Sequence, residues 1–444
     1  MTDRSAALPP PSPAAQSAGT GAGAGPGASL PAQANGSRPA PITGRARPLR
    51  IAIVAGEHSG DQLGAALIGS LQARQAAGDL PPLEFSGVGG ARMAEAGMPS
   101  LFPLEDVAVM GPVAIAAQLP KIVRRVYQTV EHIVERAPDL LVIVDSPEFT
   151  HPIAKRVRRK IPDLPVIDYV SPSVWAWRPG RARKMAAYVD HVLALLPFEP
   201  KAHAELGGPR CTYVGHPMIE RLDAMRTVET ETLRAQLQLR AHKPILALLP
   251  GSRTSEVRRL LPPFMETVDR LLDTGLDFET VIPALPHVRP LIDRELTRWG
   301  MPVYVVEGDE AKLQTFKLAT AALAASGTVS LELALIGTPM VIAYRVDAVA
   351  AQLRHLVKAH SIVLPNLILG ENAIPEYIQE ACRPETLVGA VGPLLRREAA
   401  YEQQSHALDK VVERMQLADG QAPSAAAADV VAKYLREVRP ALAR

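Results

Sequence analysis

From Arg50 onward the chain alternates short, β-branched apolar runs with segments whose apolar residues recur every three or four positions. "IAIVA" (Ile51 to Ala55) reads as a buried strand, and Leu63, Leu67, Ile68 and Leu71 then mark one face of a helix. "LEFSGVGG", "DLLVIVDSP", "PVIDYV", "HVLALLPF" and "CTYVGHP" repeat the strand pattern, with amphipathic stretches between them. This is the pattern of a parallel α/β domain. A polar segment follows Gly215-His216-Pro217, and a second series begins with "PILALLPGSR". It continues through "FETVIPAL", "VYVVEG" and "AALAASGTVSLELALIGTPMVIAY". The pattern predicts two Rossmann-like βα domains facing a central cleft, over residues 49–217 and 218–425, with a C-terminal helix or tail over 426–444.

Composition changes this picture at the N-terminus. Residues 1–48 are mostly Ala, Pro, Gly and Ser and cannot bury enough apolar surface to fold, so a disordered tail is expected. The 48 basic residues nearly balance the 46 acidic ones, which argues against nucleic acid as a partner. Cys211 and Cys382, far apart in sequence, fit a reducing compartment, and no Cys/His spacing of a metal site occurs. No apolar run reaches the ~20 residues of a membrane span. The uncharged stretch Val107 to Leu119 is the exception to note, with Lys121, Arg124 and Arg125 just after it. It fits either a buried helix or a helix lying in a membrane surface through Val107, Val109, Met110, Val113, Ile115 and Leu119.

Three loops carry the candidate chemistry. After the strand Ile245 to Leu249, the groups of Gly251, Ser252 and Arg253 converge where a phosphate would sit, and Thr254 can cap the next helix. Ser326, Gly327 and Thr328 likewise end a strand and start a helix, whose N-terminus suits a diphosphate. Glu332, one turn in, can accept bonds from ribose hydroxyls or serve as an ordinary first-turn acid. Two such loops in one domain point to a nucleoside diphosphate. In the first domain Asp145 ends a buried strand, where an unpaired carboxylate is costly, and it can accept a proton from an attacking hydroxyl. The turn Glu57-His58-Ser59-Gly60-Asp61 is acidic and unsuited to a phosphate. Ser171, Trp175, Trp177 and Arg178 either pack the domain or meet an anionic, partly apolar ligand.

"AGEHSGDQLGA", "FSGVGGARMAEAG", "YVSPSVWAWR", "LLPFE", "YVGHPM", "LLPGSR", "ASGTVSLE" and "SIVLPNLILGE" resemble, in the same order, the lipid-A-disaccharide synthase family. The resemblance runs from about Ile51 past Pro384. It implies a GT-B-type glycosyltransferase that joins UDP-2,3-diacylglucosamine to 2,3-diacylglucosamine 1-phosphate, giving a β-1,6 disaccharide and UDP. It further implies a peripheral protein on the anionic inner face of a Gram-negative cytoplasmic membrane, and it leaves a homodimer open. Displacing UDP requires one base and positive charge at the diphosphate, and the absence of Asp-x-Asp suits an enzyme that needs no metal cofactor. Asp145 is the expected base and Glu57 its rival. Ser59, Asp61, Ser171, Trp175 and Arg178 fall on the acceptor side, the acidic turn either bonding sugar hydroxyls or holding the loop near Asp145. The chain departs from the family pattern at Glu148 and Thr150, where Asp and Asn are common. It also lacks the Glu that usually follows Met110-Gly111 closely. A UDP-sugar epimerase or hydrolase, or a non-catalytic lipid binder, are the rival readings.

Overall fold

The computed structural model describes residues 47–108, 112–300, 302–346 and 359–438. The tail expected over residues 1–48 therefore lies almost wholly outside the described residues.

The apolar runs form two six-stranded sheets, parallel throughout. The first contains β1 (Leu49–Ala55), β2 (Leu83–Val88), β3 (Leu140–Val144), β4 (Val166–Tyr169), β5 (His191–Ala194) and β6 (Arg210–Tyr213). The second contains β7 (Ile245–Leu249), β8 (Glu279–Ala284), β9 (Tyr304–Glu307), β10 (Ala321–Ala325), β11 (Met340–Tyr344) and β12 (Glu376–Ile378). β1, β3, β7 and β10 are interior strands, buried at every residue except Arg50 of β1, which is why they read as continuous apolar runs and not as alternations.

Strand order decides where ligands can bind. The first sheet runs β2-β1-β3-β4-β5-β6, so the chain leaves β1 toward one edge and returns through β3 toward the other. The second runs β12-β11-β10-β7-β8-β9, with the same reversal between β7 and β10. Beyond the carboxyl ends of those paired strands a crevice opens that no crossover helix covers. Asp145 follows β3, Glu57 follows β1, Gly251 follows β7 and Ser326 follows β10, so these four strand exits lie at the switch points, whereas Ser171 and Trp175 follow the adjacent β4.

The helix Pro423–Val438 returns to the first domain. Ala427, Ala428, Val431, Ala432 and Leu435 are buried among β1, β3 and the helix His58–Ala76, the alanines allowing the two helices to approach closely. Fully buried Val431 and Leu435 each contribute about 1.5–3 kcal/mol by leaving water. The two domains also share an apolar junction, in which Leu196 from the first clusters with Phe316, Leu331 and Ile342 from the second.

Candidate active site

The second-domain loops are shaped from within. Gly251 has φ +118, and a Cβ there would come within 2.5 Å of Glu256 Cβ, so only glycine fits. Glu256 is buried at position N3 of the helix Thr254–Asp273, and its carboxylate reaches back to the N-cap residue Arg253. Its Oε2 accepts the N–H groups of Ser252 (3.1 Å) and Arg253 (3.3 Å), and its Oε1 accepts Arg253 Nη1 (2.7 Å). This corrects two expectations: Thr254 is not the cap, and those two backbone donors are taken up by Glu256 instead of lying free for phosphate. The Arg253 side chain stays exposed, 66% accessible despite its pairing.

At the end of β10, Ser326 Oγ donates to the carbonyl of Ile362 (2.9 Å), and Gly327 takes φ +156 before Thr328, which occupies the N-cap position of the helix Val329–Ile336 without a side-chain capping bond. Ser330 Oγ ties back to the Gly327 carbonyl (2.8 Å). Glu332 Oε1 accepts Lys312 Nζ at 2.9 Å. Gly251, Ser252, Arg253, Ser326, Gly327, Thr328 and Glu332 all line one cavity of about 430 Å³. Its walls add Lys312, which the sequence reading missed, and Leu285, which remains 45% exposed. The cavity thus offers two cations, paired carboxylates and an apolar wall, a combination that accommodates an anionic, partly flat ligand.

The first-domain switch point is built differently. Asp145 (φ 54) and Ser146 (φ 45) are consecutive left-handed residues without glycine's freedom, and Val170 at the neighbouring exit of β4 has φ 92. The bonds around them over-determine this backbone. Asp145 N donates to the Tyr169 carbonyl (2.9 Å), and Thr150 Oγ1 donates to the carbonyls of Asp145 (2.7 Å) and Ser146 (3.1 Å). The Asp145 carboxylate accepts Ser146 N at Oδ1 (2.8 Å) and Ser59 Oγ at Oδ2 (2.8 Å). Ser59, and not a carboxylate of the acidic turn, is thus the residue of that turn bonded to Asp145. Thr150 is fully buried and braces the same turn. Glu57 stands exposed at the N-cap of the helix His58–Ala76.

Other residues meet different fates. Asp61 is 4% exposed and accepts the N–H groups of Gly90 (2.7 Å), Arg92 (3.1 Å) and Met93 (3.0 Å). It holds the loop after β2 and is taken up there, a correction to both the sugar-binding expectation and that of a brace near Asp145. Ser171 is buried, its Oγ 2.8 Å from His203 Nε2. Trp175 directs its indole N–H at Glu199 Oε1 (3.2 Å). Arg178 stacks over Trp177 at 3.9 Å and lies 3.8 Å from Glu148, whose carboxyl the Arg181 guanidinium holds below its ordinary range.

The stretch Val107 to Leu119 divides. Val107 is 8% exposed and packs in the first-domain core, so it is not a membrane-facing residue. Val109 and Met110 lie outside the described residues, and Val113 and Ile115 fall on the helix Pro112–Arg136. Leu119 is exposed, and with Val123 and Tyr127 it forms an exposed apolar stripe at four-residue spacing. Lys121 and Arg125, two of the basic residues that follow the stretch, both pair with Asp106 at 2.5 Å. Their hydrogen bonds lower the Asp106 pKa.

Residues 51–430 match the family described as lipid-A-disaccharide synthetase. The chain belongs to the lipid-A-disaccharide synthase family. It is similar to the lipid-A-disaccharide synthase of Bradyrhizobium diazoefficiens, 45% identical over 90% of this chain and 100% of that one. The synthase of Nitrobacter winogradskyi is 46% identical over 88% of this chain and 96% of its own length. Among solved structures, a UDP-GlcNAc 2-epimerase from Neisseria meningitidis shares the fold at a TM-score of 0.55 and 12% identity, covering 88% of this chain and 100% of that one. The two-Rossmann-domain GT-B architecture and the family thus agree, and the protein is an enzyme of lipid A disaccharide synthesis.

Proposed function

We propose that the enzyme transfers 2,3-diacylglucosamine from UDP to the 6-hydroxyl of 2,3-diacylglucosamine 1-phosphate, with inversion at the anomeric carbon. The UDP moiety occupies the cavity at the β7/β10 switch point, which gathers all seven residues expected of a nucleotide site. That convergence carries the reading. Asp145 accepts the proton of the 6-hydroxyl as its oxygen bonds to the anomeric carbon. The bond from that carbon to the diphosphate oxygen breaks, and UDP leaves with both bonding electrons. Arg253 and Lys312 neutralise the departing charge, so no metal cofactor is required. Asp145 is favoured over Glu57 because two hydrogen bonds fix its carboxylate, whereas Glu57 is exposed. Both substrates are acylated lipids, and the Leu119, Val123 and Tyr127 stripe supplies an apolar face for the inner-membrane surface on which they are presented. No helix among the described residues is long and apolar enough to cross a membrane.

Mass spectrometry of products from purified protein in detergent tests this reading. A tetra-acylated disaccharide 1-phosphate and UDP should form only with both lipids present. UDP released without the acceptor would replace the transferase with a hydrolase or epimerase.

A further inference from the structure

The segment "LALLPFEP" contains a residue that the proposed chemistry leaves unused. Glu199 opens the short helix Glu199–Glu205, an ordinary place for an acid, yet it is only 3% exposed. Its Oε2 accepts the N–H of Leu196 (3.0 Å) and its Oε1 accepts the indole N–H of Trp175 (3.2 Å). Both partners donate, so the site asks for two acceptor oxygens. A glutamine of the same shape could satisfy only one of them.

Trp175 lies on the turn 171–177 that follows β4, downstream of the left-handed Val170. Its ring meets Phe198 edge-on at 5.1 Å. Trp175 and Phe198 pack against the apolar junction that holds Leu196 and Phe316, and Phe316 also lines the nucleotide cavity. One buried carboxylate therefore ties a first-domain turn to the cluster that forms part of the second domain's cavity wall.

We propose that Glu199 is a positioning residue whose carboxylate locks the Trp175 indole into the domain junction and so holds the turn 171–177 in place for the acceptor sugar. This rests on the glycosyltransferase reading above. Burial pushes the Glu199 carboxyl up to about 7. Hydrogen bonds from Leu196, Trp175, Leu195 and Ser171 offset that burial only in part, and among the described residues no cation adds to them. Ser171 Oγ lies against His203, whose own titration burial moves down, while burial keeps Cys211 and Tyr213 of β6 protonated. Asp168 of β4 adds negative charge nearby, felt by both Cys211 and His203. The lock is accordingly strongest above neutrality and loosens as the carboxyl takes a proton.

The test uses the full chain carrying Trp177→Phe and Trp299→Phe, which leaves Trp175 as the one indole reporter. Its emission should titrate with a midpoint near 7, and adding Glu199→Gln should abolish that titration. In the otherwise native enzyme, Glu199→Gln should lower kcat about 10-fold, equivalent to about 1.4 kcal/mol, while the KM for the UDP-sugar stays within twofold. Trp175→Phe should cost a similar factor, and the double variant should lose no more than either single one. Emission that still titrates in Glu199→Gln, or losses that multiply in the double variant, would overturn the proposal. If the parent enzyme makes no disaccharide, the transferase reading fails, and the emission titration still decides whether Glu199 holds Trp175.

Discussion

The two switch points solve the same backbone problem in opposite ways. Where β7 and β10 end, the chain turns on Gly251 and Gly327, residues for which a positive φ costs nothing sterically. Where β3 ends, it turns on Asp145 and Ser146, with Val170 at the exit of the adjacent β4, and left-handed conformations cost these residues about 1–3 kcal/mol each. The glycine loops leave room at a cavity wall and let backbone approach a large ligand. The strained exit instead aims one side chain, and a web of bonds from Tyr169, Thr150 and Ser59 keeps it aimed. Such expenditure suits a group that moves a proton more than one that merely binds.

If this contrast is correct, the largest effect belongs to Asp145→Asn. Asparagine tolerates the left-handed region and can still accept from Ser59, so folding should survive while turnover falls by about 10²–10⁴. Rapid-quench measurement of a single turnover, beside an unchanged circular dichroism spectrum, checks this. Near-full turnover would pass the role of base to Glu57. Arg253→Ala should act on the other side, weakening UDP binding by about 10–100-fold as a charge-assisted contact is lost. Isothermal titration with UDP reads that directly, and unchanged affinity would remove Arg253 from the diphosphate site.

The glycine side was the more legible in sequence. Apolar runs ending in Gly-Ser-Arg and Ser-Gly-Thr announce strand exits, because glycine and the following cap residues are local signals. Lys312 was not legible, since its place beside Glu332 depends on how two helices twenty residues apart pack. Glu256 could have been found: an acid three residues past Arg253 at a helix start is half of a capping box. Glu199 stood inside a recognisable motif, but sequence cannot say that a first-turn acid is buried. The uncharged run at Val107 showed a related limit. Composition gave one apolar stretch, whereas packing sends Val107 inward and leaves Leu119 outside with Val123 and Tyr127. Nor does an alanine-rich C-terminal helix name its partner, and only the packing assigns Pro423–Val438 to the first domain.

Titration offers a finer probe of the first domain, where two buried groups respond oppositely to acid. His191 is 2% exposed, and burial together with Arg210 and Lys433 pulls it down to about 4. The unfolded chain binds that proton near pH 6.5, so the stability His191 contributes is complete above about 6.5 and is lost as pH falls toward 4. Glu199 has the reverse sign. The folded chain keeps its proton below about 7 and the unfolded one releases it down to about 4.5, so Glu199 adds stability as the solution is acidified through that window. Melting temperature followed from pH 7 to pH 4.5 should therefore fall less steeply for His191→Gln than for the parent, and more steeply for Glu199→Gln. Parallel curves for all three proteins would mean that neither group changes its protonation on unfolding.

The smallest effect is the sharpest test of the contrast itself. Ser146 combines a left-handed backbone with a buried hydroxyl that has no hydrogen-bond partner among the described residues. Ser146→Gly removes both penalties, while glycine's extra freedom in the unfolded chain takes back about 0.5–1 kcal/mol. The net expectation is a gain of about 1 kcal/mol, seen as a higher urea midpoint with an unchanged slope. Activity should move the other way. With glycine at 146 the turn has alternatives to the single conformation that places Asp145 Oδ1 on the Ser146 N–H, and kcat should fall a few-fold. A variant that is more stable but slower would show that the non-glycine exit of β3 is kept for the aim of its carboxylate. A variant that is less stable would mean that the left-handed pair is comfortable where it stands, and the two switch points would then differ in residue type without differing in strain.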